Sequence, residues 1–251
     1  MDTRRSVLVT GGAAGIGAGI ALRFAEAGYA VAILDLDGEG GRLAAASLEK
    51  LSPCIVLRGD ISEEKDARAA VEETVRRFGR LDVLVNNAGI EVSGSVSQLT
   101  SSEWDRQIAV NLRGAYLMSK YAIAAMKRGG SIVNISSVHA FVSWPGCAAY
   151  DTTKSGLIGL TRAMALDHGR DGIRVNAICP GYIDTPLMDR WLSVVPDREE
   201  VLRQIVASHP AGRIGTPRDV AEAAFFLASD AASFISGTSL VVDGAMTVAG
   251  H

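Results

Sequence analysis

Tyr150 and Lys154 lie four residues apart in the run YDTTK, a spacing that can bring a phenol and an amine together. If this run is helical, both side chains leave the same face of the helix, one turn apart. A free tyrosine has a pKa of about 10, and a neighbouring ammonium lowers that pKa by stabilising the phenolate. The pair therefore predicts an acid–base catalyst, although chance places the same two residues on many solvated helices.

A glycine-rich turn occurs near the start of the chain, in the run TGGAAGIG. Gly11, Gly15 and Gly17 would let the chain turn tightly and bring backbone N–H groups close to a pyrophosphate, and Ile16 would open the first helix. The spacing Gly-x3-Gly-x-Gly differs from the commoner G-x-G-x-x-G. Its place between a first strand and a first helix predicts a dinucleotide site.

Asp35 ends the second predicted strand, where an acid can accept hydrogen bonds from the ribose hydroxyls of adenosine. Its carboxylate would repel a 2′-phosphate. Neither Ala14 nor Leu36 supplies a compensating cation, and Arg42 lies too far along the next helix. The position favours NAD over NADP, unless Asp35 only ends a strand and caps the next turn.

The rest of the chain alternates short apolar runs with longer helical patterns, which predicts a parallel sheet covered on both faces. We therefore expect an α/β, doubly wound Rossmann fold with a seven-stranded, mostly parallel sheet and helices on both faces. The apolar runs are 7–9, 30–34, 55–57, 83–85, 132–135, 175–178 and 240–242. The helical patterns are 16–27, 42–51, 64–78, 103–126, 155–168 and 218–228.

No linker, repeat or low-complexity block divides the chain, so residues 1–251 are expected to form a single domain that binds the dinucleotide and carries the catalytic groups. A longer connection at about 180–210 can cover the ligand crevice. The pattern at 155–168 is apolar or small around most of its circumference, which favours contact with other copies of the chain and a homotetramer. The alternative is a helix buried within its own subunit.

The composition of the chain indicates which partners, which cysteine-based sites and which compartment to expect. The net charge is −3, from 25 basic and 28 acidic residues, which suggests neither nucleic acid nor a membrane surface as a partner. The three cysteines, Cys54, Cys147 and Cys179, form no CxxC pair, so neither a disulfide framework nor a metal site is predicted. The first residues lack a signal-peptide pattern, and a cytoplasmic protein is expected.

Several further motifs occur in order along the chain: NNAG at 86–89, Asn111, and Ser136-Ser137. Together with Tyr150 and Lys154 they resemble the short-chain dehydrogenase/reductase family in its form of about 250 residues. The resemblance covers nearly the whole chain. It implies an NAD-dependent oxidoreductase that transfers a hydride directly between an alcohol or carbonyl substrate and the nicotinamide, with no metal.

The resemblance also implies roles for individual residues. Tyr150 would be the general base in oxidation and the general acid in reduction, and Lys154 would lower its pKa and hold the nicotinamide ribose. Ser137 would bind the substrate oxygen, with Ser136 as a structural neighbour, and Asn111 would anchor a water in a proton relay. The expected cofactor contacts beyond the glycine turn and Asp35 are Asp60, Ile61, Asn87, Ala88, Gly89, Pro180, Gly181, Ile183 and Thr185.

The residues between Ser137 and Tyr150 should shape the substrate pocket. His139, Trp144 and Glu91 resemble the corresponding residues of the glucose dehydrogenases in this family, and such groups suit a sugar. The implied reaction is oxidation of the anomeric hydroxyl of an aldose to a lactone. The alternative is that Trp144 only anchors a loop and His139 faces solvent or backbone.

Other substrates and one other class of function stay open. A polyol, another secondary alcohol, a steroid-like alcohol or a 3-oxoacyl thioester would use the same catalytic residues. Arg190, Arg198 and Arg203 would suit an acyl carrier protein or an anionic sugar, but acidic neighbours offset their charge. A catalytically silent NAD-binding sensor is the remaining possibility, and it would have little need for all four catalytic residues.

Overall fold

The computed structural model describes residues 4–127 and 129–249 and places seven parallel strands in one sheet. The strand order is β3-β2-β1-β4-β5-β6-β7. Successive strands are added toward one edge of the sheet from β1 to β3 and toward the other edge from β4 to β7, so the order of addition reverses between β1 and β4. Such a switch point opens a crevice at the carboxyl ends of the strands. The strands are β1 (Ser6–Thr10), β2 (Ala30–Asp35), β3 (Cys54–Arg58), β4 (Val83–Asn86), β5 (Gly130–Ile135), β6 (Ile173–Pro180) and β7 (Ser239–Val242).

Helices cover both faces of this sheet, and the predicted doubly wound α/β fold is confirmed. The described helices are α1 (Gly15–Glu26), α2 (Gly38–Leu48), α3 (Glu64–Phe78), α4 (Ser101–Ile108), α5 (Ala115–Ala125), α6 (Ala148–His168), α7 (Pro186–Leu192), α8 (Arg198–Ala207) and α9 (Pro217–Ala228).

The core consists of two apolar layers, one on each face of the sheet. Along β1, Val7 and Val9 point into one layer and Leu8 into the other, because successive side chains of a strand alternate. Phe24 of α1 packs in the first layer with residues of α2 and α9. Leu117 of α5 packs in the second with residues of α3 and α6. These layers hold the strand ends, and thus the crevice, in fixed positions.

The helix predicted at 103–126 is helical from Ser101 to Ala125, but its middle is not α-helical. A capping box between Thr100 and Glu103 starts α4, and a π-helical turn at Ala109–Gly114 separates α4 from α5. Turns of this kind are rare and occur often at functional sites, and this one contains Asn111. Its wider hydrogen-bond pattern leaves no mark in the apolar periodicity, which is why the sequence predicts one continuous helix.

Two other helix boundaries differ from the sequence pattern. Asp37 caps α2, which begins at Gly38 and ends at Leu48 rather than spanning 42–51. Helix α6 begins at Ala148, seven residues before the predicted start at 155. The run that contains Tyr150 and Lys154 is therefore helical, as their shared face requires.

The connection after β6 folds into α7 and α8 and has a small apolar cluster of its own. Met188, Leu192 and Ile205 are buried in it, with Tyr182 and Trp191 packed against them. Within the described ranges, no helix is both long enough and apolar enough to cross a membrane.

Candidate active site

A large cavity of about 810 Å³ lies at the carboxyl edge of the sheet. It extends from Asp35, at the end of β2, to Tyr150 and Lys154 on α6. Residues of the glycine turn line one end, and residues of the connection after β6 line the side wall. The cavity therefore joins the predicted cofactor residues to the predicted substrate residues.

The glycine turn has the shape that a dinucleotide phosphate requires. Gly11 and Gly15 adopt φ of +65° and +55°, a region that side chains disfavour. A Cβ on Gly11 would lie 2.9 Å from the Cα of Ala88, so the turn fits tightly against the loop after β4. No side chain caps the first turn of α1, so the N–H groups of this turn can donate hydrogen bonds to an anion in the cavity. These observations fit a bound pyrophosphate.

Gly17 is the one predicted cofactor residue that does not line the cavity. It is buried beneath the turn, and a Cβ there would overlap the carbonyl oxygen of Gly11. Its contribution is to let α1 pack closely under the turn. The predicted cofactor residues on the cavity wall are Gly11, Gly15, Ile16, Asp35, Asp60, Ile61, Asn87, Ala88, Gly89, Tyr150, Lys154, Pro180, Gly181, Ile183 and Thr185.

Asp35 both stabilises the neighbouring turns and faces the cavity. Its carboxylate accepts hydrogen bonds from the backbone N–H of Ala13 and of Asp37, each at 3.0 Å. The turn-stabilising alternative is therefore part of what this residue does. Arg58 stands opposite Asp35 in the β2–β3 pair, but it is not among the residues that line the cavity.

Asn87 fixes the junction between the glycine turn and β4. Its Nδ2 donates to the carbonyl oxygens of Thr10 at 2.9 Å and of Gly11 at 3.0 Å. Asp60, after β3, accepts hydrogen bonds from the backbone N–H and hydroxyl of Ser62. Both predicted cofactor residues thus have structural partners as well as a place on the cavity wall.

Lys154 and Ser137 meet Tyr150 at the reacting end of the cavity. The Lys154 Nζ is buried, donates to the carbonyl oxygen of Ile135 at 2.9 Å and lies 5.3 Å from the centre of the Tyr150 ring. The Ser137 side chain lies close enough to Tyr150 to lower the pKa of its phenol. Ser136 instead donates to the Lys154 carbonyl oxygen at 2.8 Å, a structural contact.

The expectation that Lys154 lowers the pKa of Tyr150 stays a prediction, because burial dominates the pKa of this phenol. Burial raises the pKa of Tyr150 above its ordinary value, and the negative charge of Glu91 raises it further, while the Ser137 side chain lowers it. Burial also lowers the pKa of Lys154 to about 8. Burial disfavours the charged form of both groups, so the phenol keeps its proton at neutral pH.

Asn111 lies in the π-helical turn and does not line the cavity. Its Oδ1 accepts from the backbone N–H of Ile90 at 2.8 Å, and its Nδ2 donates to the Ile90 carbonyl oxygen at 2.8 Å and to Thr153 Oγ1 at 3.3 Å. The side chain therefore ties the loop after β4 to α6, beside Lys154. Its role in a proton relay stays a prediction.

The substrate side of the cavity contains a histidine–carboxylate pair that the sequence did not predict. The Nδ1 of His139 lies 2.6 Å from an oxygen of Asp151. Because a carboxylate can only accept, Nδ1 carries the proton in this pair and a neutral ring keeps Nε2 as an acceptor. The sequence gives little indication of this pair, because Asp151 is next to Tyr150 and nothing in the run marks it as a partner of His139.

Aromatic rings surround this pair. The His139 ring lies 4.4 Å from the Trp144 ring and 5.1 Å from the Tyr150 ring, centre to centre. Tyr182 stands 6.4 Å from Trp144 and 6.3 Å from Trp191, and all five of these side chains line the cavity. His139 and Trp144 thus line the cavity, and their contact with a substrate stays a prediction.

Glu91 completes the substrate side. It is half-buried on the cavity wall, and burial raises the pKa of its carboxyl, while the nearby charges of His139 and Lys154 lower it. A carboxyl group, an imidazole acceptor and an indole face therefore adjoin the hydroxyl of Tyr150. Such a set can bind hydroxyl groups on one side of a molecule and C–H groups on the other.

Comparisons with known proteins agree with this geometry. A family model described as enoyl-(acyl carrier protein) reductase matches residues 11–247. The chain is 41% identical over 249 residues to L-fucose dehydrogenase of Bos taurus, which covers 97% of this chain and 91% of that protein. It is 42% identical over 246 residues to 2-(S)-hydroxypropyl-CoM dehydrogenase 3 of Xanthobacter autotrophicus, with 96% of each covered.

Among solved structures, the ligand-free aldohexose dehydrogenase of Thermoplasma acidophilum matches this chain with a TM-score of 0.89 and 40% sequence identity. The match covers 98% of this chain and 95% of that one.

Proposed function

Because the chain belongs to the short-chain dehydrogenase/reductase family, whose members are oxidoreductases acting on CH–OH groups, we propose that it oxidises the anomeric hydroxyl of an aldose to a lactone with NAD⁺. The observation that carries the proposal is the group formed by Glu91, Trp144 and the His139–Asp151 pair beside Tyr150.

The residues of the first half of the cavity fit a nicotinamide dinucleotide. The uncapped first turn of α1, with Gly11 and Gly15, would hold the diphosphate, and Asp35 would accept from the adenosine ribose. The buried Lys154 would donate to the second ribose. When bound there, the nicotinamide would supply the hydride acceptor, and the protein would bind the substrate and transfer its proton.

Ser137 and Tyr150 are the residues that would bind the substrate hydroxyl and take up its proton. Both would donate to or accept from the substrate oxygen, and Tyr150 would take its proton as the alcohol becomes a carbonyl. Since burial and Glu91 raise the pKa of Tyr150, few phenolates exist at neutral pH. Oxidation by this site should therefore speed up toward alkaline pH, and reduction should be favoured as pH falls.

The substrate side supports a sugar. The Nε2 of His139 and the carboxylate of Glu91 are acceptors that need a partner with several hydroxyl donors. The face of Trp144 would pack on the C–H groups of a sugar ring. The names of two relatives, L-fucose dehydrogenase and aldohexose dehydrogenase, point the same way.

A second candidate is a small secondary alcohol with an anionic tail. Arg106 and Arg190 line the cavity and would attract such a group, and a 2-(S)-hydroxypropyl-CoM dehydrogenase is among the relatives. A polyol or a 3-oxoacyl substrate would use the same proton donor. The carboxylates of Glu91 and Asp151 disfavour an anion next to Tyr150, so we rank the aldose first.

We also propose a cytoplasmic homotetramer. On α6, Leu157 and Ile158 are buried, whereas Gly159, Ala163 and Leu166 are exposed, with Leu166 at 83%. This flat, apolar face suits a second copy of the chain. The three cysteines are free, as a reducing compartment favours.

A substrate panel tests the proposed function. Purified protein would be offered aldoses, polyols, simple secondary alcohols and hydroxyacyl thioesters with NAD⁺, and NADH formation would be followed by absorbance. We expect turnover of at least one aldose with a lactone as product. Turnover of a non-sugar alcohol together with no response to any aldose would overturn the proposal.

A further inference from the structure

Three different metal-binding side chains converge at the substrate end of the cavity. The ring nitrogens of His139, the Sγ of Cys147 and the carboxylate of Asp151 offer one ligand atom each, all within 4.8 Å of one another. All three residues are half-buried rather than spread over the surface. A nitrogen, a sulfur and an oxygen ligand at this separation suit tetrahedral Zn²⁺.

Helix α6 fixes two of these ligands in position. Cys147 precedes the first residue of α6, and Asp151 follows one turn later, with its backbone N–H donating to the Cys147 carbonyl oxygen at 2.8 Å. Side chains four residues apart share one face of a helix, which is the usual arrangement of two metal ligands on one helix. His139 approaches that face from the short 3-10 turn Val138–Ala140.

We propose that His139, Cys147 and Asp151 bind a divalent transition metal of the zinc type, and that the bound metal blocks the substrate. The metal would take the Cys147 sulfur as thiolate, and the thiol proton would pass to water. It would replace the hydrogen bond between His139 and Asp151 with two bonds to the metal, and the proton on His139 Nδ1 would move to Nε2 by way of water so that Nδ1 can bind. No electron is transferred, because Zn²⁺ keeps its oxidation state.

The charges nearby favour a cation at this place. Glu91 lies close enough that its charge acts on Cys147 and on His139, and it lines the same wall of the cavity. The positive end of α6 opposes a cation, but a thiolate and two carboxylates outweigh that partial charge. An open coordination position would face the cavity and hold water.

The bound metal would block the substrate because its ligands lie in the substrate part of the cavity. His139 and Cys147 line the cavity beside Tyr150, and His139 is a proposed substrate contact. Metal binding stands on the geometry of the three ligands alone, whereas its effect on turnover rests on the proposed function. The spacing of residues 139, 147 and 151 matches no CxxC-type pattern, which is why the sequence predicts no metal site.

The test uses Co²⁺ as a spectroscopic substitute for Zn²⁺. Protein freed of metal by a chelator would be titrated with Co²⁺, and the thiolate-to-cobalt charge-transfer band would be recorded. We expect one equivalent per chain and loss of the band in Cys147→Ser. Cys54→Ser, which changes a half-buried thiol on β3, is the matched control and should keep the band. His139→Ala should weaken binding at least about tenfold.

A dehydrogenase assay completes the test. Zn²⁺ should inhibit the unaltered protein reversibly, with a chelator restoring activity, and each variant would be compared with its own metal-free rate. Absence of the band, or its persistence in Cys147→Ser, would overturn the metal site. A band without inhibition would overturn the blocking effect. The cobalt titration needs no substrate, so a failure of the aldose assignment would be recognised separately.

Discussion

The cavity has a cofactor half, formed mainly by the backbone, and a substrate half, formed mainly by side chains. In the cofactor half, backbone geometry dominates: the left-handed Gly11 and Gly15, the uncapped start of α1 and the ends of parallel strands. In the substrate half, side chains dominate: Glu91 from one loop, Trp144 from another, and the His139–Asp151 pair. A backbone site is fixed by the fold, whereas a side-chain site changes with a few substitutions.

The largest effect should come from the residue where the two halves meet. Tyr150→Phe removes the proton partner and leaves the ring, so turnover should fall by about 10²- to 10⁴-fold. NAD⁺ binding, measured by fluorescence titration, should remain, because the cofactor half is unchanged. Retention of most of the activity would remove Tyr150 from the central role.

Asp151→Asn tests whether the substrate half depends on an oriented imidazole. Without the carboxylate, Nδ1 of His139 loses its charged partner, and kcat/KM for the aldose should fall by about 10- to 100-fold. NAD⁺ affinity should not change.

The end of the same helix offers a control for that substitution. Asp171 pairs with His168 at 3.2 Å on the surface, far from the cavity, and Asp171→Asn should leave kcat/KM unaltered. Equal effects of the two substitutions would show that the His139–Asp151 pair has no special role.

Asp35→Ala and Asp35→Asn test the cofactor half. Both remove the charge that should repel a 2′-phosphate, and the ratio of kcat/KM for NADP⁺ over NAD⁺ should rise at least about tenfold. The Asn variant keeps an acceptor for the N–H groups of Ala13 and Asp37, so it separates charge from turn stability. If the unaltered protein already prefers NADP⁺, our reading of Asp35 is wrong.

The smallest expected effect is a shift in pH dependence. The charge of Glu91 raises the pKa of Tyr150, so Glu91→Gln should lower that pKa. Because oxidation needs the phenolate, its rate should then rise at lower pH than in the unaltered protein. Glu39→Gln, at an exposed position on α2, is the control. An unmoved profile for Glu91→Gln would show that this charge does not reach Tyr150.

The sequence predicted most of the residues that line the cofactor half of the cavity, because these residues lie at or just after the ends of apolar runs. Apolar runs mark the strands, and Gly11, Asp35 and Asn87 follow strand ends, which a parallel sheet brings to one edge. The π-helical turn around Asn111 was missed, because a single wide turn leaves the apolar pattern intact.

The substrate half was predicted less completely. His139 and Trp144 were predicted and line the cavity, but Asp151 was not predicted, since its pairing with His139 depends on how a loop returns to the start of α6. The raised pKa of Tyr150 was also missed, because spacing shows the neighbouring Lys154 but not the burial of both groups.

The proposed reaction removes hydride from the anomeric carbon of an aldose. The most direct measurement uses an aldose deuterated at C1 with NAD⁺, and mass spectrometry of the reduced cofactor and of the sugar product. We expect one deuterium in the NADH and an unlabelled lactone. Unlabelled NADH, or a product that keeps its deuterium at C1, would contradict the proposed reaction.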